Sequence, residues 1–172
     1  QAGERVLDIG CGAGATTLTA AESVGPSGHV VGVDISQQLL GLARERAKAG
    51  ARNIDFVEQD VSASVIAGAP FDAAFSRFGM MFFEAPTEAF ARVRENLRPG
   101  GRLVFVCWRS AKENAWASAP IAALSPLLSA PLPPSDPDAP GPFALADANK
   151  ISAILAASGW RDVVIQPWDG AF

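Results

Sequence analysis

Val6-Leu7-Asp8-Ile9-Gly10-Cys11-Gly12-Ala13-Gly14 decides the fold of this chain. Residues of strand character run straight into a glycine-rich turn, and a helical pattern follows it. Glycine suits a turn where the chain reverses sharply and a ligand must approach the backbone closely. The exposed N–H groups of the turn and of the helix N-terminus would then face polar groups of that ligand. Any tight strand-to-helix turn can use glycine, so the meaning of this one depends on what surrounds it.

Outward from the turn, short apolar runs alternate with longer helical patterns, the signature of βαβ units. Strands are expected at Arg5–Ile9, His29–Asp34, Asn53–Glu58, Phe71–Ser76, Arg102–Trp108 and Asp162–Gln166. After the second strand, Ser36 is placed to cap a helix whose apolar stripe is Leu39, Leu40, Ala43 and Ala47. Pro86 opens another helix, with Phe90, Val93 and Leu97 on one face and Pro99-Gly100 ending it. A last helix is expected from near Asp147, burying Ile151, Ile154 and Leu155. The fold class is therefore α/β, a doubly wound, mostly parallel Rossmann-like sheet with helices on both faces. Between Ser110 and Ala146 six prolines from Pro131 to Pro142 break the pattern, which reads as an extended insertion. Following a strand's carboxyl end, it lies where ligands bind in open α/β sheets, so it is either a substrate loop or a plain surface connection.

The second strand ends in Asp34, about twenty residues past Gly14. A carboxylate there can accept from both ribose hydroxyls of a nucleoside; its bland alternative is a helix N-cap. Glycine turn and Asp34 together fit S-adenosylmethionine (SAM) or NAD equally, since Gly10, Gly12 and Ala15 also match G-x-G-x-x-G/A. Three further features separate the two. Asp8 sits inside the first strand, which the dinucleotide pattern does not require; Gln59-Asp60-Val61 follows the third strand; and Leu97-Arg98-Pro99-Gly100-Gly101 leads into the fifth.

As an ordered set, Val6–Gly14, Asp34, Asp60, Phe71-Asp72 and Leu97–Gly101 resembles the motifs of class I SAM-dependent methyltransferases. The likeness is to the broad branch that includes the ubiquinone and menaquinone methyltransferases, and it spans residues 5 to about 108; Phe143–Gln166 resembles that branch too. The resemblance implies that Asp8 and the backbone of Gly10, Cys11 and Gly12 hold the methionine end of SAM. It implies Asp34 on the ribose, Ile35 against the adenine, Asp60 on the adenine amino group, the N–H of Val61 on a ring nitrogen, and the backbone near Ser76 at the methionine amine. S-adenosylhomocysteine would be the product. Two departures stand out: helices before the first strand and a seventh, antiparallel strand are missing. With a strand opening at the fifth residue, this leads to the expectation that residues 1–172 are one SAM-binding domain, part of a longer protein, carrying an insertion at about 110–146.

Methyl transfer from a sulfonium demands positioning more than acid–base chemistry, and no catalytic residue is assigned. Candidates to line the acceptor site are Arg77, Trp108 and Arg109, with Phe75, Phe78, Met80, Met81, Phe82 and Phe83 as an apolar wall. A structural ion pair is the competing role for Arg77, and ordinary packing for Trp108.

Composition narrows the acceptor. The 172 residues suffice for one domain with a sizeable core, 49% are hydrophobic, and the net charge is −4 with no basic block. That favours a small molecule over nucleic acid. Ser76-Arg77-Phe78-Gly79 is not the Asn/Asp-Pro-Pro-aromatic motif of amino-methylating nucleic-acid enzymes, and the Pro-Cys pair of cytosine-carbon enzymes is absent. Cys11, Cys107 and the lone His29 make neither a disulfide framework nor a metal site, so reduced thiols and a cytoplasmic protein are expected. Trp116–Leu132 is apolar but cut by Pro120, Pro126 and Pro131, which argues against a membrane span. The rival readings are an NAD(P)-dependent oxidoreductase and a SAM-binding protein without turnover.

Overall fold

A computed structural model describes residues 1–48, 50, 53–130, 136 and 138–170. Five strands, β1 (Arg5–Ile9), β2 (His29–Asp34), β3 (Ile54–Glu58), β4 (Phe71–Arg77) and β5 (Leu97–Val106), form one parallel sheet in the order β3-β2-β1-β4-β5. The chain winds outward from β1 through β2 to β3, then crosses to β4 and β5 on the other side. Loops after β1 and β4 therefore diverge and leave a crevice at the carboxyl ends of the strands.

The apolar runs in β1 and β2 are continuous because both sheet faces are covered. On one face Leu7, Ile9, Val31 and Val33 pack in a core with Phe90 and Val93 of α3 (Pro86–Glu95) and Ile151, Ile154 and Leu155 of α5 (Ala148–Ala157). On the other, Val6 and Val30 meet Ala21 and Val24 of α1 (Ala15–Val24). Asp147 caps α5 by accepting from the Asn149 N–H at 2.8 Å, and Ser36 caps α2 (Gln37–Ala47) by accepting from the Leu39 N–H at 3.3 Å.

Four expectations need correction. Leu40 and Ala43 are buried in α2, but Leu39 is exposed and turns toward the crevice. α3 ends at Glu95, and Leu97 already pairs with Phe71 as the first residue of β5. Pro99-Gly100 thus ends no helix. It lies within β5, where the register shifts between Phe71 and Ala73. The insertion is not wholly loop, because Ala115–Leu124 forms α4, in which five alanines favour helix enough to tolerate the one hydrogen bond lost at Pro120. Finally, residues 162–166 are not a strand: they have no ladder partner among the described residues, and Val163, Val164 and Ile165 stay exposed. Pro131, Pro133, Pro134 and Pro137 fall outside the described residues. Among the described residues no helix is long and apolar enough to cross a membrane.

Asn96 closes α3 and joins three segments. Its Oδ1 accepts from the Ile66 N–H at 2.7 Å, its Nδ2 donates to the Arg92 carbonyl at 3.0 Å, and its own carbonyl accepts from the Phe71 N–H at 2.8 Å. Both Asn96 and Ile66 are buried. Asn96→Ala leaves the Ile66 N–H without a partner, and is expected to destabilise the protein by about 1–3 kcal/mol. Urea unfolding with an unchanged m-value checks this; a loss under about 0.5 kcal/mol, typical of surface changes, would contradict the tie.

Candidate functional site

The glycine turn is built by backbone geometry. The N–H groups of Gly10 and Cys11 both donate to the Val33 carbonyl, at 2.9 and 3.1 Å, which hangs the turn on the end of β2. Gly10 has φ +68°, and a Cβ there would come within 3.1 Å of the Gly79 Cα. Gly14, at φ +80°, starts α1, and a Cβ would stand 2.9 Å from the Ala43 Cβ. Glycine is required at both places by conformation and by space.

Asp34 locks the turn from below. Its Oδ2 accepts from the Gly12 N–H at 2.7 Å and its Oδ1 from the Ser36 N–H at 2.9 Å. The N-cap of α2 is Ser36, so the bland role for Asp34 is already filled. Beside it Ile35 is 75% exposed, an apolar side chain left standing in the crevice wall. Past β3, Asp60 folds its Oδ1 onto the Ser62 N–H (2.8 Å) and hydroxyl (2.6 Å), so its position is fixed by its own turn.

The crevice between these loops and the β4–α3 connection has a volume of about 680 Å³, inside the roughly 300–1,000 Å³ span of small-ligand clefts. Gly10, Gly12, Asp34, Ile35, Asp60 and Val61 line it, so six of the expected cofactor residues converge. Sequence reasoning missed Gly79, Leu39, Glu84 and Glu88, which line it as well. The spacing of Glu84 and Glu88 around Pro86 is that of a helix start, which was their only signal. Four carboxylates therefore face the crevice, and among the described residues no Lys, Arg or His lines it.

Other expected residues lie elsewhere. Asp8 is fully buried behind the turn, its Oδ2 accepting from the hydroxyls of Thr16 (2.8 Å) and Thr17 (2.7 Å) while Oδ1 has no partner. Burial pushes its carboxyl up to about 6, although the threonine hydrogen bonds and the Arg77 charge pull the other way. Cys11 is buried, and desolvation pushes its thiol up to about 12, so it is no nucleophile. Ser76 is buried too, donating to the Ile9 carbonyl at 2.8 Å and accepting from the Gly79 N–H at 3.2 Å, which pins the ends of β1 and β4 together. Arg77 leaves β4 on the α1 side of the sheet, with Glu4, Thr16 and Arg102, and does not reach the crevice. Arg109 is engaged by Glu113 at 3.0 Å and Asp169 at 2.7 Å. Trp108 stacks on Phe78. The expected apolar wall divides: Phe78, Phe82 and Phe83 line the crevice, Met80 and Met81 are core, and Phe75 packs on the opposite sheet face.

Comparison with known proteins fits this arrangement. A family model described as a methyltransferase domain matches residues 6–101. The chain is 39% identical over 104 residues to an aklanonic acid methyltransferase of Streptomyces sp. (strain C5), an alignment covering 60% of this chain and 47% of that protein. To the ubiquinone/menaquinone biosynthesis C-methyltransferase of Pseudomonas putida it is 36% identical over 106 residues, covering 60% of this chain and 41% of that protein. The chain thus spans about half the length, or less, of these curated relatives. Among solved structures, a SAM-dependent methyltransferase from Aquifex aeolicus superimposes with TM-score 0.68 at 19% identity, covering 92% of this chain and 73% of that one, and shares the fold.

The buried Asp8 makes a pH prediction. Its carboxyl titrates near 3.8 when exposed and near 6 when folded, so the native state holds the proton more tightly than the unfolded chain. Stability from this group is full below about pH 4 and is lost as pH rises toward 6 and beyond, by about 3 kcal/mol. Asp8→Asn, which keeps an acceptor for both threonine hydroxyls, should remove that decline. Urea unfolding at pH 4.5 and pH 7 measures it, and an equal decline in the variant would assign the slope to other groups.

Proposed function

The chain belongs to the methyltransferase-domain family, and from that premise we propose that its crevice binds SAM and presents the sulfonium methyl group to a small-molecule acceptor. One observation carries the choice of ligand: a glycine turn faces a crevice lined by Asp34, Asp60, Glu84 and Glu88, with no cationic side chain among the described residues that line it. A dinucleotide would set its pyrophosphate against those carboxylates, whereas a sulfonium bearing an ammonium group is matched by them. The same lining opposes a nucleic-acid backbone, whose affinity rests on Lys and Arg.

Each residue has a task that its present bonds allow. A carboxylate offers about four acceptor positions, and Asp34 commits one on each oxygen to Gly12 and Ser36. The remaining positions accept the two ribose hydroxyls. Ile35 and Leu39 supply apolar contact for the adenine, Asp60 accepts from its amino group through Oδ2, and the Val61 N–H meets a ring nitrogen. Gly10, Cys11 and Gly12 hold the methionine end through their backbone. Asp8 and Ser76 act from behind, Asp8 by anchoring the start of α1 and Ser76 by fixing the Ile9 carbonyl and Gly79 amide.

The bound donor supplies an electrophilic methyl group, whose transfer to an acceptor lone pair leaves its sulfur as a neutral thioether in S-adenosylhomocysteine. The protein's contribution is to hold the acceptor in line and to keep water out, and positioning of that kind is worth several kcal/mol. Relatives named for aklanonic acid and for ubiquinone/menaquinone biosynthesis support a small-molecule acceptor. The reading places the protein in the cytoplasm, supported by the free thiols Cys11 and Cys107.

Titration calorimetry tests the proposal. SAM should bind and NAD⁺ should not, and Asp34→Ala or Asp60→Ala should each weaken SAM by about 1–3 kcal/mol. SAM affinity indifferent to both substitutions, or NAD⁺ binding as tightly, overturns it.

A further inference from the structure

Residues 114–135 contain no charged side chain. The described part of this run, α4 and a short 3₁₀ turn at Ser125–Leu127, buries nothing. A helix that is apolar all round is ordinarily a core helix. Here every residue from 119 to 130 is exposed instead. Leu127 is 79% exposed, Leu124 54%, and Trp116 and Ile121 48% each. The segment is held to the domain by its first turn, where Trp116 meets Trp108 and Phe143.

The polar side chains of α4 and its flanks are turned inward. Ser118 Oγ donates to the Asn114 carbonyl at 3.2 Å, and Ser125 Oγ to the Ile121 carbonyl at 2.8 Å. The Asn114 amide donates to the carbonyls of Arg109 and Ser110, at 3.0 and 2.9 Å. Hydroxyls committed to their own helix suit surroundings that offer them no other partner. Two polar groups stay open, and both belong to Trp116. Its indole N–H has no hydrogen-bond partner among the described residues. Its carbonyl loses its helical donor, because Pro120 has no N–H.

We propose that α4 and the turn after it lie in the surface of a lipid bilayer, with Leu124 and Leu127 in the hydrocarbon and Trp116 among the headgroups. Length decides against a span, since the ten residues of α4 reach about 15 Å and the hydrocarbon layer is about 30 Å thick. A protein partner fits less well, because such interfaces carry about one hydrogen bond per 100–200 Å². Past its first turn this segment has no free side-chain donor or acceptor to give one. A bilayer surface supplies polar partners at one level, where Trp116 needs them, and none below it. Charge complementarity selects the lipid. A segment without Lys or Arg gains nothing from anionic headgroups, so attachment to a zwitterionic bilayer rests on apolar burial alone. This inference is independent of the donor reading.

Flotation of the whole chain with phosphatidylcholine vesicles tests the proposal. The protein should float with them equally at about 0.15 M and about 1 M salt, and added phosphatidylglycerol should bring no gain. Leu124→Glu/Leu127→Glu should lower the partition about ten-fold or more. Leu42→Glu, at an exposed leucine of α2, should leave it unchanged. Vesicles of brominated phosphatidylcholine should also quench the tryptophan fluorescence of the unaltered chain, and quench Trp116→Phe less. No flotation, flotation that survives the double substitution or needs phosphatidylglycerol, an equal loss with Leu42→Glu, or equal quenching of Trp116→Phe overturns the proposal. So does a chain that light scattering finds dimeric without lipid and monomeric after the double substitution, which assigns the segment to a second copy.

Discussion

The hydrogen bond from the Gly12 amide to the Asp34 carboxylate, 2.7 Å long, is the constraint around which the crevice is arranged. It joins a turn that owes its path to glycine with a strand end whose position the sheet dictates. Val33 reinforces the link by accepting from both Gly10 and Cys11. A loop of small residues has little packing of its own, and without these bonds it would sample many conformations. Anchored on β2, it presents its backbone in one geometry, and Asp34 stays in place while half of its acceptor capacity remains open.

Asp8 shows what this rigidity costs. α1 begins at a glycine that provides no side-chain cap, because any Cβ at Gly14 would strike Ala43. The carboxylate of Asp8, reaching from β1 to the hydroxyls of Thr16 and Thr17, ties down the helix start instead, and its charge suits the helix's positive end. Full burial with one oxygen unpartnered makes that charge expensive, which is why its carboxyl titrates high. A single requirement, room for a close backbone at the turn, thus forces both the missing cap and the buried acid.

Legibility in the sequence followed the range of the interactions. β1, β2, the glycine turn, Asp34 and the cap at Ser36 could be read because each depends on residues near it in the chain or on a strict spacing. The placements of Arg77 and Leu39 could not. Each sits at the end or edge of a correctly expected element, and one step of rotation sends its side chain to the other face. Asn96 was silent because its partners, Ile66 and Phe71, lie up to 30 residues away. Proline content hid α4, since one Pro costs a helix one bond while five alanines act in the opposite direction. The segment 162–166 has strand composition, but a strand is a pairing, and composition cannot supply a neighbour.

The two halves of the crevice come from different parts of the chain, and this bears on how the protein discriminates among ligands. Loops after β1, β2 and β3 provide the glycine turn, Asp34 and Asp60; the connection after β4 and the start of α3 provide Phe78, Gly79, Glu84 and Glu88. The family match covers residues 6–101, so it includes both halves of the crevice. Trp108, Trp116 and Phe143 lie beyond it. Ser76 joins the two halves, its hydroxyl donating to the Ile9 carbonyl beside the glycine turn and accepting from the Gly79 N–H at the end of β4, so the donor side and the side after β4 are held in one register.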